Sequence, residues 1–254
     1  MAITVPLPEL LVLPEVTDPG RWRNGKIPYL DEDRHLLVTV AMANRPSIHN
    51  TDIIREGEIT SFLDYVGPKW KGKMVLSDPA VPGASLSFIT LMAKEIFGVD
   101  GTLEILRQLA ANEPVMTRDQ RMMLEWVARG KYPVGIGQSS AMFTEFKKLG
   151  APIAFTILKE PPFLASGAGN LFVFDKAPHP NAVKLFVNWL VSKEGASVWA
   201  PAQGFPSQRV DVPTDSFDPL VLPPAGASVP DEAYLRTQAA IRDRVGEIFS
   251  ALRK

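Results

Sequence analysis

The chain has 254 residues, 46% of them hydrophobic and 22% charged, with a net charge of -1 at neutral pH. This size and balance are typical of a globular protein with one large domain or two lobes, and the near-zero charge gives no indication of nucleic-acid binding. The sequence contains no cysteine, which excludes disulfides, thiolate metal sites and cysteine nucleophiles. No apolar run approaches the roughly 20 residues that a membrane-spanning helix needs.

The first two thirds of the chain are predicted to alternate strands with helices. Apolar, β-branched runs predict strands, and serine or threonine starts and glycine ends predict helices. Ser85 is predicted to cap one helix, and Thr117 with Gln120 to form a capping box at another. Residues 44–57 are predicted to be a connection. The predicted strands are 35–43, 73–76, 132–136 and 153–158, and the predicted helices are 58–66, 85–97, 101–111, 118–129 and 141–149.

The remaining third is predicted to hold one strand at 171–174 and two helices. His179-Pro180 is expected to open the first helix, since proline is well suited to the first helical turn. Ala182, Phe186, Trp189 and Leu190 recur at helical spacing and are expected to face a core. A final amphipathic helix is predicted for 230–252, after a proline-rich stretch. This order predicts an α/β class with a parallel or mixed sheet, and the long proline-rich crossings favour two lobes.

Ser139 and Ser140 lie in the turn Gly137-Gln138-Ser139-Ser140-Ala141, between a predicted strand and a predicted helix. A nucleophile elbow of the α/β-hydrolases occupies such a place, but it needs a glycine where this chain has Ala141 and an acid and a histidine downstream. The turn is also typical of a helix N-cap. A third interpretation is that the two serines and nearby amides bind an anionic or polar solute at the helix N-terminus.

Two further turns of small residues are candidates for ligand contacts. Ser85 and Ser87 follow Pro82-Gly83-Ala84, and Ser166, Gly167 and Asn170 belong to a glycine-rich turn before a predicted strand. Each has a structural alternative: Ser85 is a plain helix cap, and the later turn is a flexible entry to its strand. The histidines, His35, His49 and His179, show no metal-ligand spacing, so we expect no metal and no cofactor.

Four segments, taken in order, resemble the family 1 extracellular solute-binding proteins of ABC importers, in the branch that includes ferric-iron-binding proteins. They are Asp64–Lys73 (DYVGPKWKGK), Val127–Gly137 (VARGKYPVGIG), Lys148–Ile153 (KLGAPI) and Ala177–Gly195, which begins APHPNA and ends SKEG. The resemblance covers residues 44–210 well and implies a two-lobed α/β fold of the type II periplasmic-binding-protein kind, with hinge-crossing strands.

On this resemblance, residues 1–45 and 165–205 form the remainder of the first lobe and residues 46–164 form the second lobe. Residues 206–254 form a C-terminal segment whose helix packs back on the lobes. Members of the family begin with a signal peptide and about a hundred further residues. We therefore expect a chain truncated at its N-terminus, with an incomplete first lobe and exposed apolar surface. Residues 1–13 themselves carry no basic region, and Pro6 and Pro8 interrupt them.

The implied function is that of the substrate-binding component of an ABC transporter, not an enzyme. It would bind a small polar or anionic solute in an interlobe cleft by hinge closure, work with a membrane permease as a monomer, and reside in the periplasm or outside the cytoplasm. Iron-binding members use paired tyrosines where this chain has Gln138, Ser139 and Ser140. A ferric-iron protein with non-tyrosine ligands and a serine hydrolase using Ser139 are the alternatives. The residues expected to line the cleft are Ser85, Ser87, Ser139, Ser140, Ser166, Gly167 and Asn170.

Overall fold

The chain forms two compact units, each assembled from separate stretches of sequence. The computed structural model describes residues 4–167, 169–227 and 229–252. Unit 1 comprises residues 1–43 and 164–232, and unit 2 comprises residues 44–163 and 233–254. The chain therefore passes between the units three times, and residues 206–254 are divided between them. The lobe boundaries expected from the resemblance stay a prediction.

Strands and helices alternate along most of the chain. In chain order the strands are β1 Leu37–Val38, β2 Met42–Asn44, β3 Ser47–Asn50, β4 Met74–Ser77, β5 Val115–Thr117, β6 Val134–Ile136, β7 Ile153–Phe155, β8 Phe163–Ala165 and β9 Asn170–Leu171. The helices are α1 Pro14–Thr17, α2 Ala84–Leu91, α3 Gly98–Ala111, α4 Gln120–Ala128, α5 Ser140–Lys148, α6 Pro180–Val191, α7 Lys193–Gln203 and α8 Glu232–Ile248. No helix of the described ranges is long and apolar enough to cross a membrane.

Unit 2 is built on a five-stranded mixed sheet with the order β5-β4-β6-β3-β7. The neighbours of β4 run parallel to it, and those of β3 run antiparallel to it. Met74, Val75 and Leu76 of β4 are buried, as expected for a strand covered on both faces. Since β4, β5 and β6 are parallel and each leads into a helix, the starts of α2, α4 and α5 meet at one edge of the sheet.

Unit 1 has strands only in pairs within its described residues, and buried side chains join its segments. A core of Leu7, Leu11, Val16, Trp22, Leu37, Val173, Val187 and Val191 is packed between the N-terminal stretch and α6. The guanidinium of Arg209 is almost fully buried, donates to both carboxylate oxygens of Asp211 at 2.9 and 2.8 Å, and donates to the main-chain oxygens of Glu15 and Val191. One arginine thus ties three stretches of unit 1 together.

The predicted connection at residues 44–57 is wrong, because it contains β3, which has sheet partners on both sides. Its sequence, SIHN, is polar, and all four residues are buried. Their side chains have partners: Ser47 bonds the Tyr65 hydroxyl at 2.7 Å, His49 bonds Thr156 Oγ1 at 3.1 Å, and Asn50 donates to main-chain oxygens. Buried strands with this composition lack the apolar run on which the prediction depended.

Two predicted helix starts are also wrong. The N-cap of α2 is Gly83, so Ser85 lies inside the helix, where its hydroxyl donates to the Ser77 carbonyl. The N-cap of α4 is Asp119, whose carboxylate accepts from the Met122 amide. Thr117 and Gln120 therefore form no capping box. In both cases the observed cap lies two residues from the predicted one, because glycine and aspartate are also good N-caps.

The buried face of α6 differs from the predicted one. Ala182 is exposed, as are Phe186 and Trp189, whose exposed fractions are 55% and 38%. Val187 and Val191 are buried together with Asn188. The amide of Asn188 accepts from the main-chain N–H groups of residues 12 and 13 and donates to the carbonyl of Leu10. A hydrogen-bonded asparagine in the middle of the buried face shifts the apolar pattern away from the true face.

Candidate functional site

A pocket of about 260 Å³ opens in unit 2 where the parallel strands end. In open α/β sheets the carboxyl ends of the strands are where ligands bind, since loops and helix starts converge there. Its volume lies just below the roughly 300–1,000 Å³ usual for drug-sized ligands and suits a small solute. The lining residues of this unit 2 pocket are Ser77, Asp78, Val81, Pro82, Gly83, Ala84, Arg118, Gln120 and Ser139.

Gln120, the first residue of α4, joins three parts of the unit 2 pocket. Its Nε2 donates to Ser77 Oγ at 2.9 Å and to the Gly137 carbonyl at 3.3 Å. Its Oε1 accepts from the Ser139 amide at 2.9 Å. The end of β4, the turn after β6 and the start of α5 are therefore fixed to one another by a single side chain, which uses both ends of its amide.

Asp78 and Arg118 form the charged part of the lining. Nε and Nη2 of Arg118 both donate to Oδ2 of Asp78 at 3.1 Å, and Oδ1 accepts from the Ala80 amide at 3.1 Å. The two side chains differ greatly in exposure, at 5% for Asp78 and 72% for Arg118. A molecule entering the pocket therefore meets the positive partner of the pair.

Gly137, in the turn between β6 and Ser139, leaves no room for a side chain. Its φ of +85° lies in the region that glycine adopts without strain. A Cβ placed there would lie 1.8 Å from Ser85 Oγ and 3.2 Å from the Cβ of Ser77. The first turn of α2 thus packs directly on the turn after β6. Behind it, Ser85, Phe62 and Phe249 line an apolar void of about 10 Å³, large enough for about one water molecule.

Of the serines predicted to bind ligand in unit 2, only Ser139 lines the pocket. The amide and hydroxyl of Ser140 both donate to Oδ1 of Asn44, and its hydroxyl also accepts from the Arg45 amide. Ser85 is committed to the Ser77 carbonyl, and the carbonyl of Ser87 accepts from the Tyr234 hydroxyl. These three residues do not line the pocket, and their direct contact with ligand stays a prediction.

The other three predicted residues belong to unit 1. Ser166 accepts from the Gly169 amide, Gly167 has a φ of +53° and lies against the ring of Phe205, and Asn170 pairs with Val38 between β9 and β1. Each has a structural role in its turn, and the structure does not bring them together with Ser139 in the unit 2 pocket. Their binding role stays a prediction as well.

Four polar residues of the lining were not predicted from the sequence: Ser77, Asp78, Arg118 and Gln120. Their positions in the sequence do contain a signal for a site. Ser77 and Asp78 directly follow the predicted strand 73–76, and Arg118 and Gln120 stand at a helix start. Because parallel strands present their carboxyl ends at one edge, polar residues at those places converge. The prediction concentrated on small-residue turns instead.

The histidine and tyrosine side chains that a hydrolase or an iron site would use do not line the unit 2 pocket. The His49 ring is buried in β3, which lowers its pKa, and it bonds Thr156. Burial raises the pKa of Tyr65 and of Tyr234 to about 12, so neither is a phenolate at neutral pH. His179 lies in unit 1, whereas Ser139 lies in unit 2. Within the part of the chain that the structure describes, no three histidine, cysteine or carboxylate side chains cluster as a metal site.

The fold is that of the two-lobed periplasmic binding proteins. Ferric iron-binding protein A of Mannheimia haemolytica in an open conformation superposes with a TM-score of 0.69 at 14% identity, covering 96% of this chain and 76% of that chain. AfuA of Actinobacillus pleuropneumoniae, with fructose-6-phosphate bound, gives 0.68 at 20% identity, covering 97% and 78%. Iron-bound HitA of Pseudomonas aeruginosa gives 0.67 at 18% identity, covering 93% and 76%. The fold predicted from the sequence is confirmed.

Residues 35–205 match the profile of the bacterial extracellular solute-binding proteins. That match covers more than half of the chain, and the protein belongs to this family. The resemblance stated from the sequence motifs is thereby confirmed. A curated relative, an uncharacterized protein of Haemophilus influenzae, is 26% identical over 134 residues. The match covers 52% of this chain but only 37% of that relative, so the chain spans little more than a third of its length.

Proposed function

We propose that this protein is the substrate-binding component of an ABC transporter and that it holds a small polar or anionic solute in the unit 2 pocket. The observation that carries the proposal is the pocket itself, at the carboxyl ends of β4 and β6, with Gln120 fixing its walls. Membership of the extracellular solute-binding family supports it. The neighbours AfuA and HitA, with fructose-6-phosphate and iron, show that the fold carries chemically different ligands.

The partner in this proposal is a membrane permease, and the place of action is the periplasm, as the family suggests. The protein binds and releases its solute without chemical change. In support, the histidine of unit 2, His49, is buried in β3 with its ring on Thr156 and does not line the pocket beside Ser139. Labelling by a fluorophosphonate probe, abolished in Ser139→Ala, would contradict this and favour the hydrolase.

Ferric iron without tyrosine ligands is the second candidate, because two of the three structural neighbours described above are a ferric iron-binding protein and an iron-bound protein. The pocket offers iron one lining carboxylate, Asp78, and that carboxylate is bound to Arg118. A hard cation needs several anionic or neutral oxygen ligands. The organic or anionic solute is therefore the better match.

A thermal-shift screen tests the proposal. The panel holds fructose-6-phosphate, inorganic phosphate, amino acids, thiamine and ferric citrate. A ligand at a hundred times its Kd stabilises by about 2.7 kcal/mol. In a chain of this size each kcal/mol raises Tm by roughly 2–4 °C. We expect a shift with at least one probe, lost in Ser139→Trp, which fills the pocket. Lys148→Trp, on the exposed end of the same helix, is the matched control and should keep it.

A shift that survives in Ser139→Trp would place the solute elsewhere and overturn the assignment of the pocket. We also propose that the protein acts as a monomer. Gel filtration with light scattering, in the presence and absence of the stabilising probe, tests its oligomeric state. A dimer that forms only with ligand would contradict it. A shift with ferric citrate alone would favour the iron candidate.

A further inference from the structure

The polar groups of the unit 2 pocket divide into those already committed within the protein and those left to meet a ligand. Gln120 is committed at both ends of its amide. Ser77 Oγ accepts a hydrogen bond from Gln120, so its own hydroxyl proton points to a different partner. Since Ser77 lines the pocket, that proton is offered as a donor to whatever occupies it.

Arg118 supplies further donors. Two of its nitrogens, Nε and Nη2, bind one oxygen of Asp78, and this leaves the Nη1 edge of the guanidinium directed away from that oxygen. The side chain is 72% exposed and lines the pocket. The ion pair holds the guanidinium in place, so less rotamer entropy is lost when it binds a ligand than for a free arginine.

The carboxylate of the lining is already engaged as an acceptor. Asp78, the lining carboxylate, is 5% exposed, and its oxygens already accept from Arg118 and from the Ala80 amide. A cationic solute would have to displace Arg118 from this carboxylate. A neutral polyol needs acceptors as well as donors, because each hydroxyl has a proton of its own to place. A group that accepts hydrogen bonds only and carries negative charge matches the lining better than either.

We propose that the solute carries an oxyanion group, a carboxylate, phosphate or sulfate, and that Arg118 and Ser77 donate to it in the unit 2 pocket. Arg118 is then the residue that determines specificity for charge. This inference rests on the proposed function and narrows its solute class. Hydrogen bonds from arginine to an oxyanion are charge-assisted and are stronger than neutral ones.

The experiment uses pairs of probes that differ only in the oxyanion: glycerol 3-phosphate against glycerol, and acetate against acetamide. Inorganic phosphate, sulfate and putrescine complete the set, and binding to the full chain is measured by calorimetry. We expect the charged member of at least one pair to bind and the neutral member to bind at least about tenfold more weakly, in line with one charge-assisted hydrogen bond.

Arg118→Gln should weaken oxyanion binding roughly 10- to 100-fold, and Ser77→Ala roughly fivefold, in proportion to charged and neutral hydrogen bonds. The matched control is Arg121→Gln. Arg121, the second residue of α4, binds Glu145 at 3.0 Å and does not line the pocket. The affinity of the Arg121→Gln variant for the oxyanion probe should stay within twofold of that of the wild type. Arg118→Lys keeps the charge and should restore part of the affinity, which a merely structural role for Arg118 would not predict.

The outcomes distinguish the failure of the oxyanion class, the failure of the role of Arg118 and the failure of the pocket itself. Preferred binding of glycerol, acetamide or putrescine, lost in Ser139→Trp, overturns the oxyanion class and leaves the solute-binding pocket standing. Oxyanion binding that Ser139→Trp removes but Arg118→Gln leaves unchanged overturns the role of Arg118. Oxyanion binding that persists in Ser139→Trp, or no binding of any probe here and in the thermal-shift panel, contradicts the pocket and the oxyanion together.

Discussion

The two units are stabilised in different ways. Unit 2 has a five-stranded sheet whose main-chain hydrogen bonds run through its middle, whereas the described strands of unit 1 pair only two by two. Unit 1 relies on polar side chains that reach across its segments, above all Arg209 and Asn188. In unit 2 the sheet itself joins the segments. The side chains at its carboxyl edge are therefore available to line a pocket. The same residue type, arginine, is therefore buried and structural in unit 1 and exposed in the pocket of unit 2.

The largest expected effect separates these two arginines. Arg209→Met leaves the Asp211 carboxylate and the carbonyls of Glu15 and Val191 without their buried donor. Breaking a buried ion pair from one side costs about 3–5 kcal/mol. We expect that loss in the free energy of unfolding, measured by urea denaturation. The same measurement on Arg118→Gln should show a smaller loss, because Arg118 is largely exposed and Asp78 keeps its hydrogen bond from the Ala80 amide. Equal losses would remove the contrast between the units.

The next effect tests how closely α2 packs on the turn after β6. Gly137→Ala combines a φ of +85° with a Cβ 1.8 Å from Ser85 Oγ. Gly72→Ala is the matched control, because its φ is +70° and nothing lies within 4 Å of the added Cβ. Overpacking of this kind costs about 1–3 kcal/mol beyond the conformational strain common to both. Thermal denaturation should show that difference. If both variants lose the same stability, backbone strain alone explains why position 137 requires glycine.

A smaller effect tests the side-chain bridges of unit 1. Asn188→Asp keeps the acceptor that binds residues 12 and 13 and removes the donor that binds the Leu10 and Lys184 carbonyls. An acceptor left without its donor in a buried place costs about 1–3 kcal/mol. Urea denaturation at pH 7 measures the loss, and Asn181→Asp, exposed on the same helix, is the control. No difference between the two variants would show that the bridge does not stabilise unit 1.

The smallest effect depends on pH and concerns unit 2. Burial lowers the pKa of His49, an effect to which Lys147 adds and which Glu56 and Glu58 partly oppose. The unfolded chain therefore binds a proton at His49 more readily than the folded chain does. Stability is fully present above the unfolded pKa of about 6.5 and falls as the pH drops below it. His49→Gln should flatten this fall in urea midpoints measured from pH 7.5 to 5. An unchanged slope would assign the pH dependence to other groups.

How much the sequence predicts also differs between features. The apolar strands β4 and β6 and the helix beginning at Pro180 have clear patterns, and the family motifs are confirmed. The strand β3 could not be predicted from composition, because its serine, histidine and asparagine are buried by partners far away in the sequence. The same holds for the pocket. Arg118 and Gln120 look like ordinary cap residues until the strand order places them beside Ser77.

The last helix has a consequence for the synthesis of the protein. Residues 233–254 return to unit 2, where the buried Phe249 lines the void behind α2 and the Tyr234 hydroxyl bonds the Ser87 carbonyl. Ser47, near the first residue of unit 2 in the sequence, pairs with Ile136, and early and late segments of the chain meet in this unit. Unit 1 is not complete until residues 164–232 have been synthesised, and unit 2 is not complete until residues 233–254 have been synthesised. Contacts between segments so far apart in the sequence slow folding. A chain that ended before Phe249 would leave the core of unit 2 open to water.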